Sequence, residues 1–290
     1  MLRRLTTGLR LAASVLFLFV AAIVPARAEI DNSSIGKPEF REHVRTFGLV
    51  YTMPPEVNDA LGRTVTALLR ERLLGLGLLT EAVRTNIAHV TVVHIHNADP
   101  TTPEKMLAAL PKPPAPFEVL LKRFYTTEAA AGAGHPWWLD LGVEKTGPGY
   151  EAMMAFNTAA TAALAPLRDW PLPRVTGPVY AKMGDDAKWL VQTQGVSGVN
   201  ATRDGRELRP HNPHLTLVYS MALWTPPLKA AMDRTAEEFN QILPAGIPLP
   251  VKTVSIVELG FSGNVSREIY RIDLADGSVL DVATGQPKKR

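Results

Sequence analysis

The sequence predicts an α+β fold. Short runs rich in β-branched residues alternate with stretches of helical periodicity. Proline and glycine cluster between them as in hairpins and short connections, not as in a doubly wound parallel sheet. A weak repeat also recurs along the chain: a strand of the form His-apolar-Thr-apolar, a Thr-Pro loop, a helix and a further apolar strand. A duplicated unit of this kind predicts two halves related by a pseudo-two-fold axis.

The elements follow in order. Val44–Tyr51 has strand composition and ends at Met53-Pro54-Pro55. From Glu56 to about Leu74, Val57, Leu61, Val65, Leu68 and Leu69 recur at helical spacing, and Gly75 and Gly77 close the helix. Ile87–Ile95 is a strand; Asp99-Pro100 and Thr102-Pro103 mark a loop and a helix start, and Lys112–Pro116 is too proline-rich for either element. Phe117–Tyr125 fits a strand or a short helix. Trp137–Val143 reads as a strand, Tyr150–Leu164 as an alanine-rich helix, and Arg168–Pro178 as a surface connection. Trp189–Thr193 and Pro213–Ser220 read as strands with a turn at Asp204-Gly205 between them. A helix from Pro226-Pro227 to about Leu243 precedes the strands Val251–Leu259 and Glu268–Leu274.

Residues 1–28 read as a secretory signal. Arg3, Arg4 and Arg10 precede an apolar run, Leu11–Val24, and Ala26-Arg27-Ala28 is a small-x-small cleavage site. The run of 14 residues is short for a spanning helix, which needs about 20. The expectation is a periplasmic or secreted chain starting at Glu29, with no stable membrane insertion after cleavage. Residues 1–28 hold four basic residues and no acidic one, so 27 basic face 28 acidic residues in 29–290, a formal charge of −1. That balance argues against long nucleic acid as a partner. It leaves small substrates or short nucleotide ends, short RNA ends among them. No cysteine is present, which excludes disulfides, thiolate metal sites and cysteine nucleophiles. Lys288-Lys289-Arg290 reads as a solvated tail.

Alternation along a strand puts His89 and Thr91 on one face, with Val90 and Val92 on the other. It likewise gives His214, Thr216 and Val218 one face, opposite Leu215, Leu217 and Tyr219. Two imidazoles and two hydroxyls in one groove are what a phosphodiester needs when no metal serves it. One imidazole takes the proton of the attacking oxygen, and the other gives a proton to the leaving oxygen. Histidine suits both tasks because its ordinary pKa lies near neutrality. The hydroxyls of Thr91 and Thr216 donate to the phosphate oxygens. No cofactor is called for. A single His-x-Thr carries little, but two of identical form at matching places in two halves carry the reading.

Ala88-His89-Val90-Thr91-Val92 and Pro213-His214-Leu215-Thr216-Leu217 resemble the two signature motifs of the 2H phosphoesterase superfamily, which includes 2′-5′ RNA ligase-like proteins and cyclic phosphodiesterases. The resemblance implies a bilobal α+β fold, two pseudo-symmetric lobes around a central cleft, occupying 29–290. It implies His89 and His214 as catalytic residues and Thr91 and Thr216 as phosphate-binding ones. The activity implied is metal-independent attack on a 2′,3′-cyclic phosphate or related nucleotide phosphodiester, by hydrolysis or 2′-5′ ligation. The 125 residues between the motifs point to an insertion within 97–150. A different class of function, an exported protein that captures a phosphorylated ligand without turning it over, fits the same scaffold.

Rival sites are weaker. His94-Ile95-His96 has the spacing of two metal ligands, but counting along the strand turns both away from His89 or leaves them in the loop beyond it. His211 fits either the cleft mouth or a solvated position, the latter better, and His135 reads as a loop residue. Of Trp137 and Trp138, one at most can face the cleft, where its ring could stack on a base. Tyr219 reads as core.

Overall fold

The computed structural model describes residues 45–78, 88–128, 137–168, 183–194, 198–220, 224–260 and 263–289. The signal segment with its cleavage site, His135 and nearly all of Arg168–Pro178 lie outside them.

The first half holds strand β1 (Thr46–Thr52), helix α1 (Pro55–Leu61), a π turn (Gly62–Thr66), helix α2 (Ala67–Gly75), strand β2 (His89–His96), helix α3 (Thr102–Ala109) and strand β3 (Phe117–Glu128). The second holds β4 (Trp137–Val143), α4 (Gly147–Leu164), a 3-10 turn, α5 (Asp185–Gln194), a small hairpin of β5 (Ala201–Arg203) and β6 (Arg206–Leu208), β7 (His214–Ser220), α6 (Pro226–Ile242), β8 (Ile247–Val251) and β9 (Thr253–Leu259). Strands β10 (Val265–Asp273), β11 (Val279–Asp281) and β12 (Gln286–Lys288) follow. The undecided segment from Phe117 is thus a long strand. The hairpin turns at Asp204 and Gly205, whose φ angles of 50° and 76° suit a two-residue turn.

Two readings need correction. Trp189–Thr193 lies in helix α5, not in a strand. Asp185 and Asp186 suit the helix N-terminus. Leu190 is buried in a small cluster with Val199 and Leu208, and Asp186 binds Arg203 and Arg206 of the hairpin. Lys288 is exposed as expected but belongs to edge strand β12 instead of a tail, with its ammonium 5.3 Å from the centre of the Tyr270 ring.

Among the described residues ten strands form one antiparallel sheet in the order β12-β11-β10-β9-β1-β2-β7-β4-β3-β8. The duplication is visible in that order. β2 and β7 meet at the centre, β1 and β4 flank them, and β9 and β3 come next. β3, which follows α3, lies beside β4, and β9, which follows α6 and β8, lies beside β1. The ladders match in detail too. β1 pairs Val50 with Thr91 but Leu49 with Val93, skipping Val92. β4 pairs Asp140 with Thr216 but Leu139 with Val218, skipping Leu217. Each half therefore carries a one-residue bulge directly after its motif threonine. Residues 97–128 and 137–150 supply α3, β3, β4 and the start of α4, all packed into this arrangement.

One face of the sheet is covered by helices. α4 turns Met153, Phe156, Ala160 and Leu164 toward it at spacings of three and four. α6 buries Met232, Ala236 and Phe239, and Phe239 packs edge-on against Phe124 at 5.4 Å. Where β3 bulges between Leu121 and Phe124, the side chain of Asn240 replaces the missing ladder bonds. It accepts from the Phe124 N–H at 2.7 Å and donates to its carbonyl at 3.1 Å. A separate cluster of Val50, Val257, Leu259 and Val265 lies apart from this core.

Candidate functional site

β2 and β7 are joined through a single pair, Val90 opposite Leu215. Because the strands run antiparallel, that register sets His89 opposite Thr216 and Thr91 opposite His214. Facing side chains in such a pair stand about 5 Å apart at Cβ, and diagonal ones about 7–8 Å. The two imidazoles and two hydroxyls therefore occupy the corners of one small quadrilateral. Val90 and Leu215 point the other way, into the helix-covered core.

The two imidazoles differ in exposure: His89 is 7% exposed, and the His214 side chain 35%. The Nδ1 of His214 lies 2.7 Å from the Asn212 carbonyl, which can only accept, so Nδ1 carries a hydrogen. Nε2 lies on the side of Asp140. The Asn212 side chain donates to the Tyr125 hydroxyl at 2.8 Å. Tyr125 pairs with Asp140, and it reaches this position because Gly142, diagonal to it in β4, lacks a side chain. A Cβ on Gly142, the residue opposite His214, would stand 3.3 Å from the Tyr125 ring.

Asp140 is the residue that sequence reading missed. It lies between Tyr125 of β3 and Thr216 of β7 in the same row and is 1% exposed. Its Oδ1 accepts the Thr216 hydroxyl at 2.8 Å and stands 3.9 Å from His214 Nε2. Oδ2 accepts from the Thr127 hydroxyl at 3.3 Å. Burial pushes the carboxyl up to about 6, against the pull of His214, Thr216, Thr127 and Trp138. Burial, with the Asp140 charge beside it, also pushes the Tyr125 phenol up to about 12. One signal could have found Asp140: it is the lone charge in the strand WWLDLGV, and such a residue stays in a sheet interior only with partners.

The bulges overturn the placing of several side chains. Past the skipped Val92, Gly48 pairs with His94 and Thr46 with His96, so both histidines turn to the face of His89 and Thr91. The Thr46 hydroxyl, 2.9 Å from His96 Nδ1, bears this out. Past the skipped Leu217, Tyr219 pairs with Trp138 and joins Thr216 and Asp140, while Val218 takes the opposite face. Trp138 and Tyr219 stack with ring centres 6.0 Å apart and planes 7° from parallel. Trp137 is fully buried and stacks on Trp224. Strict alternation misplaced these residues because an extra residue reverses the face of everything beyond it.

His211 is half-buried, and both of its ring nitrogens are held. Tyr51 donates to Asn157 Oδ1 at 2.8 Å, the Asn157 amide donates to His211 Nε2 at 3.0 Å, and His211 Nδ1 donates to the Gly198 carbonyl at 3.0 Å. Burial pulls its pKa down to about 4, so it stays neutral near pH 7 and serves as a fixed bracket. Among the described residues no cluster of three or more His, Asp or Glu has the geometry to hold a metal ion. A groove of about 700 Å³ lies between α2 and α6, edged by Arg72 and Glu238, on the helical layer away from these side chains.

No protein-family model matches the chain, and no curated protein matches it. Several solved structures are similar to it. TT0787 of Thermus thermophilus has 16% identity and a TM-score of 0.43, over 79% of this chain and 98% of that one. E. coli LigT in complex with 3′-AMP has 14% identity and a TM-score of 0.38, over 80% and 99%. Kluyveromyces marxianus Usb1 with uridine monophosphate has 9% identity and a TM-score of 0.41, over 73% and 93%.

Proposed function

We propose that the chain is a phosphodiesterase of the two-histidine type, acting without a metal on a 2′,3′-cyclic phosphate or related nucleotide phosphodiester, by hydrolysis or by 2′-5′ ligation. The observation that carries the reading is the junction at Val90 and Leu215, which turns two distant His-x-Thr motifs onto one face in crossed pairs. Two imidazoles on one face suit in-line displacement, with a base behind the attacking oxygen and an acid beside the leaving one. His214 Nε2 is the atom available for proton transfer in its half, since Nδ1 is held by Asn212. Thr91 and Thr216, on the same face, take the role of hydrogen-bond donors to the phosphate oxygens. The stacked Trp138 and Tyr219 on the same face offer an aromatic edge suited to a base.

Export belongs to the same proposal. Residues 1–28 act as a leader and 29–290 as the working domain. N-terminal sequencing of the exported protein should start at Glu29; retention of the first 28 residues counts against it.

The activity is tested by incubating the purified chain with 2′,3′-cyclic nucleotides in EDTA. Turnover should survive chelation and fall on the order of 10²–10⁴-fold in His89→Ala and in His214→Ala. Activity that disappears with EDTA while both alanine variants keep theirs overturns the reading. Tight binding without product favours the capture protein instead.

A further inference from the structure

The hydroxyl of Thr216 has one hydrogen, and it is directed to Asp140 Oδ1. In that state Thr216 shows an incoming anion only lone pairs, with a carboxylate immediately behind it. The groups facing this carboxylate come from each neighbouring strand. β7 brings His214 and Thr216, β3 brings Tyr125 and Thr127, β4 itself brings Trp138, and β2 brings His89 one place further along the row. The charge of Arg123 acts on Tyr125.

We propose that Asp140 is a positioning residue that takes up a proton when an anion enters the cleft, and that this proton releases the Thr216 hydroxyl from the carboxylate to the anion. The inference rests on the reading of the cleft as a phosphate site. The proton comes from solvent. The carboxyl O–H then donates to Thr216 Oγ1, and the Thr216 hydrogen turns to a phosphate oxygen; no heavy-atom bond changes. A buried carboxylate without this step would repel the substrate and occupy the donor meant for it. A carboxyl already pushed up to about 6 needs only the approach of a second negative charge to take up its proton near neutral pH. The other motif strand has no counterpart, because Thr91 lies opposite Val50.

The test uses the full chain with sulfate, an anion that does not itself titrate between pH 5 and 9, as the probe. Calorimetric titration in two buffers of different ionisation enthalpy counts the protons taken up. Near pH 7 the wild type should take up more than Asp140→Asn, by roughly half to one proton. Sulfate affinity of the wild type should fall by up to about tenfold per pH unit above pH 6, and Asp140→Asn should bind on the order of tenfold tighter than wild type at pH 8. A purely structural role would weaken binding at every pH and leave the proton count unchanged; that result overturns the inference. If Asp140→Asn does not fold, Thr216→Val and Thr216→Ser decide. Valine must cost more affinity at pH 5.5 than at pH 8, and serine must restore it; an equal loss at both values is fatal. Turnover of 2′,3′-cyclic AMP with no difference in proton uptake, or with no sulfate binding, removes this inference and leaves the phosphodiesterase reading standing. No turnover and no anion binding removes both.

Discussion

The two motif strands are alike in sequence and unlike in surroundings. His89 and Thr91 lie beside β1, where the residue opposite Thr91 is Val50, fully buried with Val257, Leu259 and Val265. His214 and Thr216 lie beside β4, where the residue opposite Thr216 is Asp140. The bulges, the crossed register and the neighbouring strands correspond. A single position of the duplicated unit therefore decides which hydroxyl is already engaged and which imidazole has a carboxylate 3.9 Å away. Duplication supplies two copies of the reactive groups, and divergence at the flanking strand gives them different tasks.

The largest expected effect tests whether both halves are needed. His89→Ala and His214→Ala should each lower turnover on the order of 10²–10⁴-fold, and the double variant should fall little further, since acid and base act in one step. Additive losses in the double variant would show that the halves work independently.

Next comes an exchange of the flanking residues. Val50→Asp places a carboxylate among Val257, Leu259 and Val265, with Thr91 opposite it as Thr216 is opposite Asp140, and should cost about 2 kcal/mol or more in chemical denaturation. A loss below about 1 kcal/mol would mean that the β1 side tolerates charge as the β4 side does.

The pH dependence of stability sharpens the contrast. Asp140 has a folded pKa raised from the ordinary carboxyl value to about 6, so its stabilising contribution is complete below about pH 4 and is lost as pH rises through 6. His211 has a folded pKa lowered to about 4, so its contribution is complete above about pH 6.5 and is lost as pH falls through 4. The two slopes oppose each other between pH 4 and 6 and amount to roughly 2–3 kcal/mol each. Denaturation at pH 4.5 and 6 should show stability rising more steeply with pH in Asp140→Asn than in wild type. In His211→Asn it should fall relative to wild type. Parallel profiles in all three proteins would contradict both assignments.

The smallest effect concerns Gly142. Ala at this position pushes on the Tyr125 ring and on the Lys122 carbonyl, each 3.3 Å from the new Cβ, and should cost about 1 kcal/mol. The kinetic trace is more telling than the stability. Tyr125 would shift from Asn212, which holds His214 Nδ1, so turnover should fall while Tm hardly moves.

Much of this is legible in the residues themselves. The strands and helices carrying both motifs follow from β-branched runs and helical spacing, and the pseudo-symmetric arrangement from the recurrence of His-apolar-Thr-apolar. Trp189–Thr193 misleads because an aromatic and β-branched run outweighs the acidic residues before it, and Leu190 is buried by Val199 and by Leu208 of the hairpin folded beside it.

What the sequence determined by itself is local: which segments extend or coil, and that two imidazole–hydroxyl pairs exist at equivalent places. Alternation with a period of two is a property of the backbone, so it fixes faces as far as the ladder is regular and no further. Tertiary structure decided the rest. A bulge is defined by the partner strand, and both bulges moved His94, His96 and Tyr219 to the face that counting denied them. The direction of the Thr216 hydrogen depends on a carboxylate 76 residues away in sequence, brought to 2.8 Å by strand pairing. Hydrogen bonds and desolvation act through space, and only the folded chain sets those distances.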